Sequence, residues 1–333
     1  MGTRIVCRTL AAAITAVFYC SSLAAHEPPA KSLLQQANWL RFEVSGGRLV
    51  ARSERCNQSR HAAEMSEGET GRQSLLVEAA GSGFTVFFDR QLADRRLLLR
   101  LDDKGQLMIC RELSNPAASG NIAFSQSAAG KLALTLGGAT PRKLAADDLW
   151  QLLLVEQEAC RSQLLPLLEE VGVGQDLTRT LAAIEEQLLA RAGNDIHEQR
   201  RQWQAWVDEL ISSDYSRRQA ADVKLRAGGQ GLLAFLRQLD PAGLDGEQRR
   251  RIRAMLAELP SGGPDTPEVI AEWLLADKRV WLALMSRGEL PQRAAAAEHL
   301  SKLCGRPVLF DPAASDESRT AQLAELSRML ADN

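Results

Sequence analysis

A short phrase occurs twice in the second half of the chain and constrains its fold more than any other feature. The first copy runs from Tyr215 to Leu225 and the second from Leu290 to Leu300. Placing Arg218 on Arg293 aligns three further positions without a gap: Tyr215 on Leu290, Ala220-Ala221 on Ala295-Ala296, and Leu225 on Leu300. Repeated units of this kind are typical of stacked helix pairs, which bury their apolar faces against neighbouring units. The second half is therefore predicted to be a helical array.

A third, looser copy lies between the other two, in which Arg251, Ala254, Met255 and Leu256 fit the phrase. With these copies, the region from 199 to 330 resembles HEAT-repeat proteins, and a weaker likeness extends back to 145. In that family the alanine pair lets two helices approach closely. The resemblance also implies that the preceding arginine ties adjacent repeats to a carboxylate. The copies are unevenly spaced, so we expect an irregular array.

Upstream of the array, apolar residues recur with a period of two, which is typical of strands. Four pairs of such runs flank turn residues, and these predict four hairpins: 40–51, 75–88, 97–109 and 122–136. The polar stretch from Asn57 to Arg72 is expected to be a long exposed loop, and helical periodicity begins at Ala145. Within the helical region, Pro166 is expected to kink or break its helix. Helix caps are predicted at Ser213 or Asp214 and at Thr266, which precedes Pro267. The predicted fold is therefore α+β. An antiparallel β meander or sandwich at 40–138 precedes a HEAT-like helical domain at 145–330.

The first 25 residues have the features of a secretory signal peptide. Arg4 and Arg8 make the start positive, an apolar stretch runs from Leu10 to Phe18, and small residues follow at Ser22 to Ala25. An uncleaved N-terminal anchor is the alternative. Residues 26–39 are expected to form a flexible lead. We expect an exported protein without a membrane segment after cleavage, and its layout resembles exported bacterial proteins of uncharacterised function with a β-rich front and HEAT-like helices.

Export would permit disulfides. Four cysteines remain after the signal region, at Cys56, Cys110, Cys160 and Cys304. Four cysteines allow three pairings, and Cys56 with Cys110 is the natural pair because both fall within the predicted β domain. Four buried thiols are the alternative.

The charge and the reactive residues argue against several function classes. The formal net charge of −2 gives no general attraction to nucleic acid or to an anionic membrane surface. None of the histidines stands in a spacing typical of zinc ligands; they are His26, His61, His197 and His299. The carboxylate pairs that begin at Asp102, Asp147 and Glu185 suit turns and helices better than acid–base chemistry. No metal or other cofactor is therefore predicted.

The helical array remains the feature from which a function can be inferred. Stacked helices present an extended concave surface, and four arginines on exposed helix faces are candidates to meet an acidic partner there: Arg217, Arg249, Arg250 and Arg253. These features favour a non-enzymatic module that binds another protein. The alternatives are a hydrolase or ligand-binding protein with its site in the β domain or at the domain junction, and a purely structural role in the cell envelope. Converging carboxylates or histidines in a closed pocket would favour the enzyme.

Overall fold

The structure is a computed structural model. It describes residues 32–54, 60–68, 70–80, 83–115, 120–127, 131–173, 176–192, 196–228, 231–232, 235–236, 239–258 and 265–331. These residues belong to one compact unit that begins at Ser32. The predicted signal peptide and the first residues of the predicted flexible lead fall outside the described residues.

Antiparallel strands make up the N-terminal half, as the alternating pattern predicts. In the described residues, eight strands pair in chain order as one meander, and two further strands form a separate hairpin. The strands are β1 (Leu40–Ser45), β2 (Arg48–Ser53), β3 (Arg60–Glu67), β4 (Gly71–Ala80), β5 (Gly83–Gln91), β6 (Arg95–Leu101), β7 (Leu107–Leu113), β8 (Ile122–Gln126), β9 (Leu132–Leu136) and β10 (Arg142–Ala146). All four predicted hairpins are confirmed, and the arrangement is a meander rather than a sandwich.

One face of the large sheet is apolar because alternate residues of each strand point the same way. The pairing aligns one residue from each of six strands in a single row, and each of these residues is at most 5% exposed: Leu75, Phe88, Leu99, Ile109, Phe124 and Leu134. Helices pack against this face and bury it.

The two edge strands of the large sheet were not predicted. β3 lies inside the stretch that was expected to be a loop, and β10 begins before the helical region and extends the sheet past residue 138. Both strands are mostly polar or exposed and pair on one side only. Edge strands of this kind lack the apolar alternation that marks a buried strand, so the loop and helix predictions at these positions are wrong.

Helices form the second half and one short segment at the start. The described helices are α1 (Leu33–Gln36), α2 (Leu149–Val155), α3 (Gln157–Ala159), α4 (Leu165–Glu170), α5 (Leu177–Ala190), α6 (Ile196–Glu209), α7 (Tyr215–Ala227), α8 (Gly246–Glu258), α9 (Pro267–Leu274), α10 (Lys278–Met285), α11 (Leu290–Cys304) and α12 (Asp316–Ala331). A π-helical turn at Cys160–Leu164 joins α3 to α4, and a 3₁₀ turn occupies Pro241–Gly243. The α+β class is therefore confirmed.

Capping residues set several helix starts where the sequence predicts them. Asp214 caps α7 by accepting from Ser216 N at 2.8 Å, and Thr266 caps α9, whose first residue is Pro267. Pro166, which was expected to kink or break its helix, does not end it. The chain stays helical there, with a π-helical turn at Cys160–Leu164 directly before Pro166 in the first turn of α4.

The apolar residues form two separate cores. The main core joins the inner face of the sheet to α2, α4, α5, α9, α10 and α11, so the predicted boundary at 138–145 falls within it. The smaller core lies between α6, α7 and α8, with Leu232 and Leu236 between them. We call residues 196–258 the helical lobe. Helix α5 packs against α9 although the lobe separates the two in sequence.

Candidate interaction surface of the helical lobe

The four arginines proposed for partner binding are all exposed in the lobe. Arg217 lies on α7 and its Nη2 is 3.2 Å from Glu209 Oε1 of α6. The other three lie on α8, where Arg249 Nε donates to Asp245 O at 3.3 Å and Arg250 Nη2 is 2.6 Å from Glu247 Oε2. Their spacing places Arg249, Arg250 and Arg253 along one side of the helix. The ion pair with Glu209 therefore places Arg217 against α6, apart from the three arginines on α8.

The central arginine of α8 has a structural role. Arg251 Nε is 2.6 Å from Glu247 Oε1, and its Nη1 is 3.6 Å from Asp222 Oδ1 on α7. Asp222 is buried and also accepts from Arg226 Nε at 2.6 Å. The hydrogen bond to Glu247 is the main cause that raises the pKa of Arg251. Arg251 therefore holds α8 against α7.

The two clear copies of the repeat are equivalent helix hairpins, α6–α7 and α10–α11. Arg218 Nη1 donates to Ser213 O at 3.1 Å, and Arg293 Nη1 donates to Gly288 O at 2.7 Å, in both cases five residues back. The arginine thus closes the turn before its helix through backbone carbonyls in these two copies, where the expectation of a carboxylate partner is wrong. Arg319 repeats the contact with Ala314 O at 2.5 Å from the same fourth position of α12. In the looser copy that expectation is met, because Arg251 contacts Glu247 and Asp222.

The equivalence extends to a pair of aromatic contacts that the sequence analysis missed. The offset of 75 residues (293 − 218) also places Trp206 on Trp281 and Lys224 on His299. Lys224 Nζ lies 5.8 Å from the centroid of the Trp206 ring, and the rings of His299 and Trp281 have centroids 4.1 Å apart. Extending the gapless alignment backwards to the tryptophans would have revealed this pair. Each hairpin therefore stacks a basic side chain of its second helix on a tryptophan of its first.

In the α10–α11 hairpin this pair is covered by the ends of two other helices. His299 is fully buried, with Nδ1 2.7 Å from Ala192 O and Nε2 3.0 Å from Leu275 O. Ala192 follows the end of α5, and Leu275 is the C-cap of α9. His299 thus lies between two helix carboxyl ends, where unpaired carbonyls and the helix dipole favour a hydrogen-bond donor or a positive charge.

In the α6–α7 hairpin the equivalent pair is open to solvent. Lys224 is exposed and Trp206 is only partly buried, whereas Trp281 is fully buried. Next to Lys224, Val223 is 55% exposed. We call Trp206, Val223 and Lys224 the open face of the lobe.

The α6–α7 hairpin carries most of the strongly exposed apolar side chains of the described residues. Five large hydrophobic side chains are strongly exposed in the described part of the chain, and three of them belong to this hairpin: Ile211, Tyr215 and Val223. The other two are Leu290 and Leu309. Exposed apolar side chains close to charged groups are typical of protein-binding sites.

No protein-family model matches the chain, and no curated protein or solved structure matches it. Among the described residues, no helix is long and apolar enough to cross a membrane.

Carboxylates do converge where the sheet meets the helices, at the position expected for an enzymatic site. Asp265 accepts from Gly46 N at 2.6 Å, Gly47 N at 2.9 Å and Trp150 Nε1 at 2.7 Å. Asp148 caps α2 by accepting from Gln151 N at 2.8 Å. These contacts fasten the β1–β2 turn to the helices. No group of three or more His, Cys, Asp or Glu in the described part of the chain could hold a metal ion.

Asp148 is the carboxylate most changed by this environment. Removal from water is the main cause that raises its pKa to about 7, and the negative charges of Asp277 and Asp147 add to it. The backbone of Gly47 lies directly over its Cβ and Cγ, although the side chain as a whole keeps some exposed surface. The carboxyl group is therefore enclosed by the turn it helps to hold.

The two buried cysteines among the described residues, Cys110 and Cys160, are unsuited to thiol chemistry. Burial raises the pKa of Cys110, and it raises that of Cys160 to about 12, so both thiols stay protonated. Cys110 is a buried free cysteine in the structure, while Cys56 lies outside the described residues. Their pairing therefore stays a prediction.

Proposed function

We propose that the protein is an exported, non-enzymatic interaction module that binds another protein through its HEAT-like helical region. The observation that carries the proposal is the open face of the lobe. The α6–α7 hairpin has the same turn closure and aromatic–cation pair as α10–α11, yet nothing comparable to the ends of α5 and α9 covers it among the described residues.

The composition of the open face supports a protein as the ligand. Trp206 and Val223 supply apolar surface that is stabilised by burial, and Lys224 supplies a charge that selects the partner. Arg249, Arg250 and Arg253 on α8 add positive charge to the lobe, which suits a partner with acidic residues. Export is proposed from the features of residues 1–25.

The carboxylates at the sheet–helix junction do not favour the enzymatic alternative. The oxygens of Asp265 and Asp148 accept hydrogen bonds from backbone amides and an indole of the same chain. Asp277 likewise accepts from the Gln151 side chain and from Arg279 N. Such contacts account for the cluster as a fastening of the hairpin to the helices.

The proposal can be tested by photocrosslinking in cells that naturally make the protein. A photoreactive amino acid replaces Val223 in one variant and Leu309 in a control, because Leu309 is 87% exposed but lies outside the lobe. We expect a discrete adduct with one protein at position 223 that is absent at position 309. Adding Trp206→Ala should abolish it. Adducts of equal yield at both positions, or none at position 223, would refute binding through the open face.

A further inference from the structure

The covered hairpin shows what kind of group its aromatic–cation pair accepts. His299 and Trp281 together contact the carboxyl ends of two helices: the His299 ring nitrogens face Ala192 O and Leu275 O, and Trp281 Nε1 donates to Leu275 O at 2.7 Å. Carbonyls at a helix end have no partner within their own helix and carry the negative end of its dipole. In the covered copy, the basic group stacked on tryptophan therefore contacts two helix carboxyl ends.

Among the described residues, no helix end covers the equivalent groups of the open hairpin. Lys224 is a cation with three donors, and its Nζ lies over the Trp206 ring. Nearby Arg217 is engaged by Glu209 across the hairpin. Beside Lys224, the exposed surfaces of Val223 and Ala220 form an apolar shoulder on α7. A helix that ended over Lys224 could bury its last turns against this shoulder.

We infer that the open face binds the carboxyl end of an α-helix from the partner protein. The last-turn carbonyls of that helix accept from Lys224 Nζ, and its apolar side packs on Trp206 and Val223. This inference rests on the proposed function and adds the chemistry of the ligand. A cation at a helix carboxyl end stabilises it most when water is excluded, so contact with the tryptophan and valine strengthens the charge interaction.

The outward positions of the two copies agree with this assignment. Val223 of the open copy aligns with Glu298 of the covered copy, and both are exposed. Glu298 forms an ion pair with Lys302 at 2.9 Å, which suits a surface that stays in water. Val223 has no charge to hydrate, which suits a surface that a partner covers. The two copies thus differ in polarity at the position where the inferred helix would lie.

The chain itself provides a defined probe for the test. The covered pair receives the end of α5, so a synthetic peptide of residues 177–192 carries a helix end of the required kind. A hydrocarbon staple between positions 182 and 186, which are exposed in α5 and one turn apart, keeps the isolated peptide helical. Binding of the fluorescein-labelled peptide to the full chain is measured by anisotropy, with either a carboxylate or an amide at its C-terminus.

We expect saturable binding that is tighter for the carboxylate form, because the added charge lies next to Lys224. Lys224→Glu should weaken binding about 5- to 30-fold, the range expected for a cation at a helix end. Lys224→His should restore binding at pH 5.5 and lose it at pH 8, since a histidine titrates near about 6.5. Wild-type binding should change little between these pH values.

Two controls separate the inference from the proposed function. Lys302→Glu changes a partly exposed lysine outside the lobe and should leave peptide binding unchanged. If the peptide fails to bind, or binds Lys224→Glu equally well, recognition of a helix end is refuted. If the photocrosslink at position 223 still forms under those conditions, the lobe binds a partner by another chemistry and the proposed function survives.

Discussion

The hairpins α6–α7 and α10–α11 are built from one repeated phrase but lie in different surroundings. In both, an arginine closes the turn before the second helix, and a basic side chain stacks on a tryptophan of the first. The α10–α11 hairpin lies in the main core, where Trp281 and His299 are fully buried. The α6–α7 hairpin lies in the small core of the lobe and keeps its pair at the surface.

Comparing the two hairpins distinguishes the burial that follows from the repeated sequence from the burial that neighbouring helices cause. Ala221 and Leu225 are buried in one copy, as are Ala296 and Leu300 in the other, because those positions face the first helix or the core in any such hairpin. The position of Lys224 and His299 is buried only where other helices reach it. The covered copy therefore serves as an internal reference for the open one.

The largest expected difference between the two hairpins comes from removing their tryptophans. Trp281→Ala should lower the free energy of unfolding by about 3–5 kcal/mol, because it leaves a cavity and removes the surface under His299. Trp206→Ala should cost about 1 kcal/mol, since that ring is already partly in water. Urea denaturation of both variants measures the difference between the two losses in the free energy of unfolding. Equal losses would show that the open face is not open in solution.

A pH effect should act on the covered hairpin. The pKa of Asp148 is raised to about 7, and Asp148 lies near Asp277, the N-cap of α10. A raised pKa means that the folded protein prefers protonated Asp148, so stability is greatest at low pH and falls as the pH rises towards and through about 7. Asp148→Asn should therefore be more stable than wild type at pH 8, by on the order of 2–4 kcal/mol, with little difference at pH 4.

Hydrogen exchange can localise this effect. In the wild type, exchange at the start of α10 should speed up between pH 5 and pH 8 beyond the intrinsic rate change, whereas α6 should not respond. Asp147→Asn is the matched control because Asp147 is exposed. A response of the same size in α6, or in Asp147→Asn instead of Asp148→Asn, would contradict the assignment.

Replacing the arginines that close the turns should produce a smaller difference in stability between the two hairpins. Arg293 donates to Gly288 O and also, through Nε, to Pro312 O at 3.0 Å, which ties α11 to the segment before α12. Arg293→Ala should cost about 1–2 kcal/mol, and Arg218→Ala, whose acceptors Ser212 O and Ser213 O lie within its own turn, about 1 kcal/mol. Thermal unfolding of the two variants provides the comparison. A larger loss of stability for Arg218→Ala than for Arg293→Ala would contradict this expectation.

The smallest effect on stability is expected at the open face itself. Val223→Asp should change the free energy of unfolding by less than about 0.5 kcal/mol, because the side chain is already largely in water. The same change should abolish binding of the 177–192 peptide. Unfolding and binding measured on one preparation separate the two roles. A large loss of stability would mean that Val223 is needed to fold the lobe and not for recognition.

The sequence predicted those elements whose physical basis is local. The four hairpins followed from alternation of apolar residues around turn residues, and Gly46 and Gly47 indeed adopt positive φ values of 61° and 70° in the first turn. The starts at Asp214 and Thr266 followed from capping chemistry. By contrast, β3 and β10 were missed because edge strands pair through their backbones and need no apolar pattern.

The candidate site was only partly predictable. The arginines Arg217, Arg249, Arg250 and Arg253 were correctly expected to be exposed, but an arginine run does not reveal which members are paired. Trp206 and Lys224 were not singled out together, because the repeated phrase begins at Tyr215 and Tyr215 lies downstream of Trp206. Their contact itself depends on how α6 packs against α7.

By itself, the sequence determined the α+β class, the positions of most helices and strands, and the repeated hairpin with its tryptophan, arginine and basic residue. These features depend on periodicity, turns and capping, which act over a few residues. The tertiary structure alone decided that one copy is covered by the ends of α5 and α9 while the other stays open. That outcome depends on contacts between segments far apart in the chain, as between His299 and Ala192, and no local pattern records them.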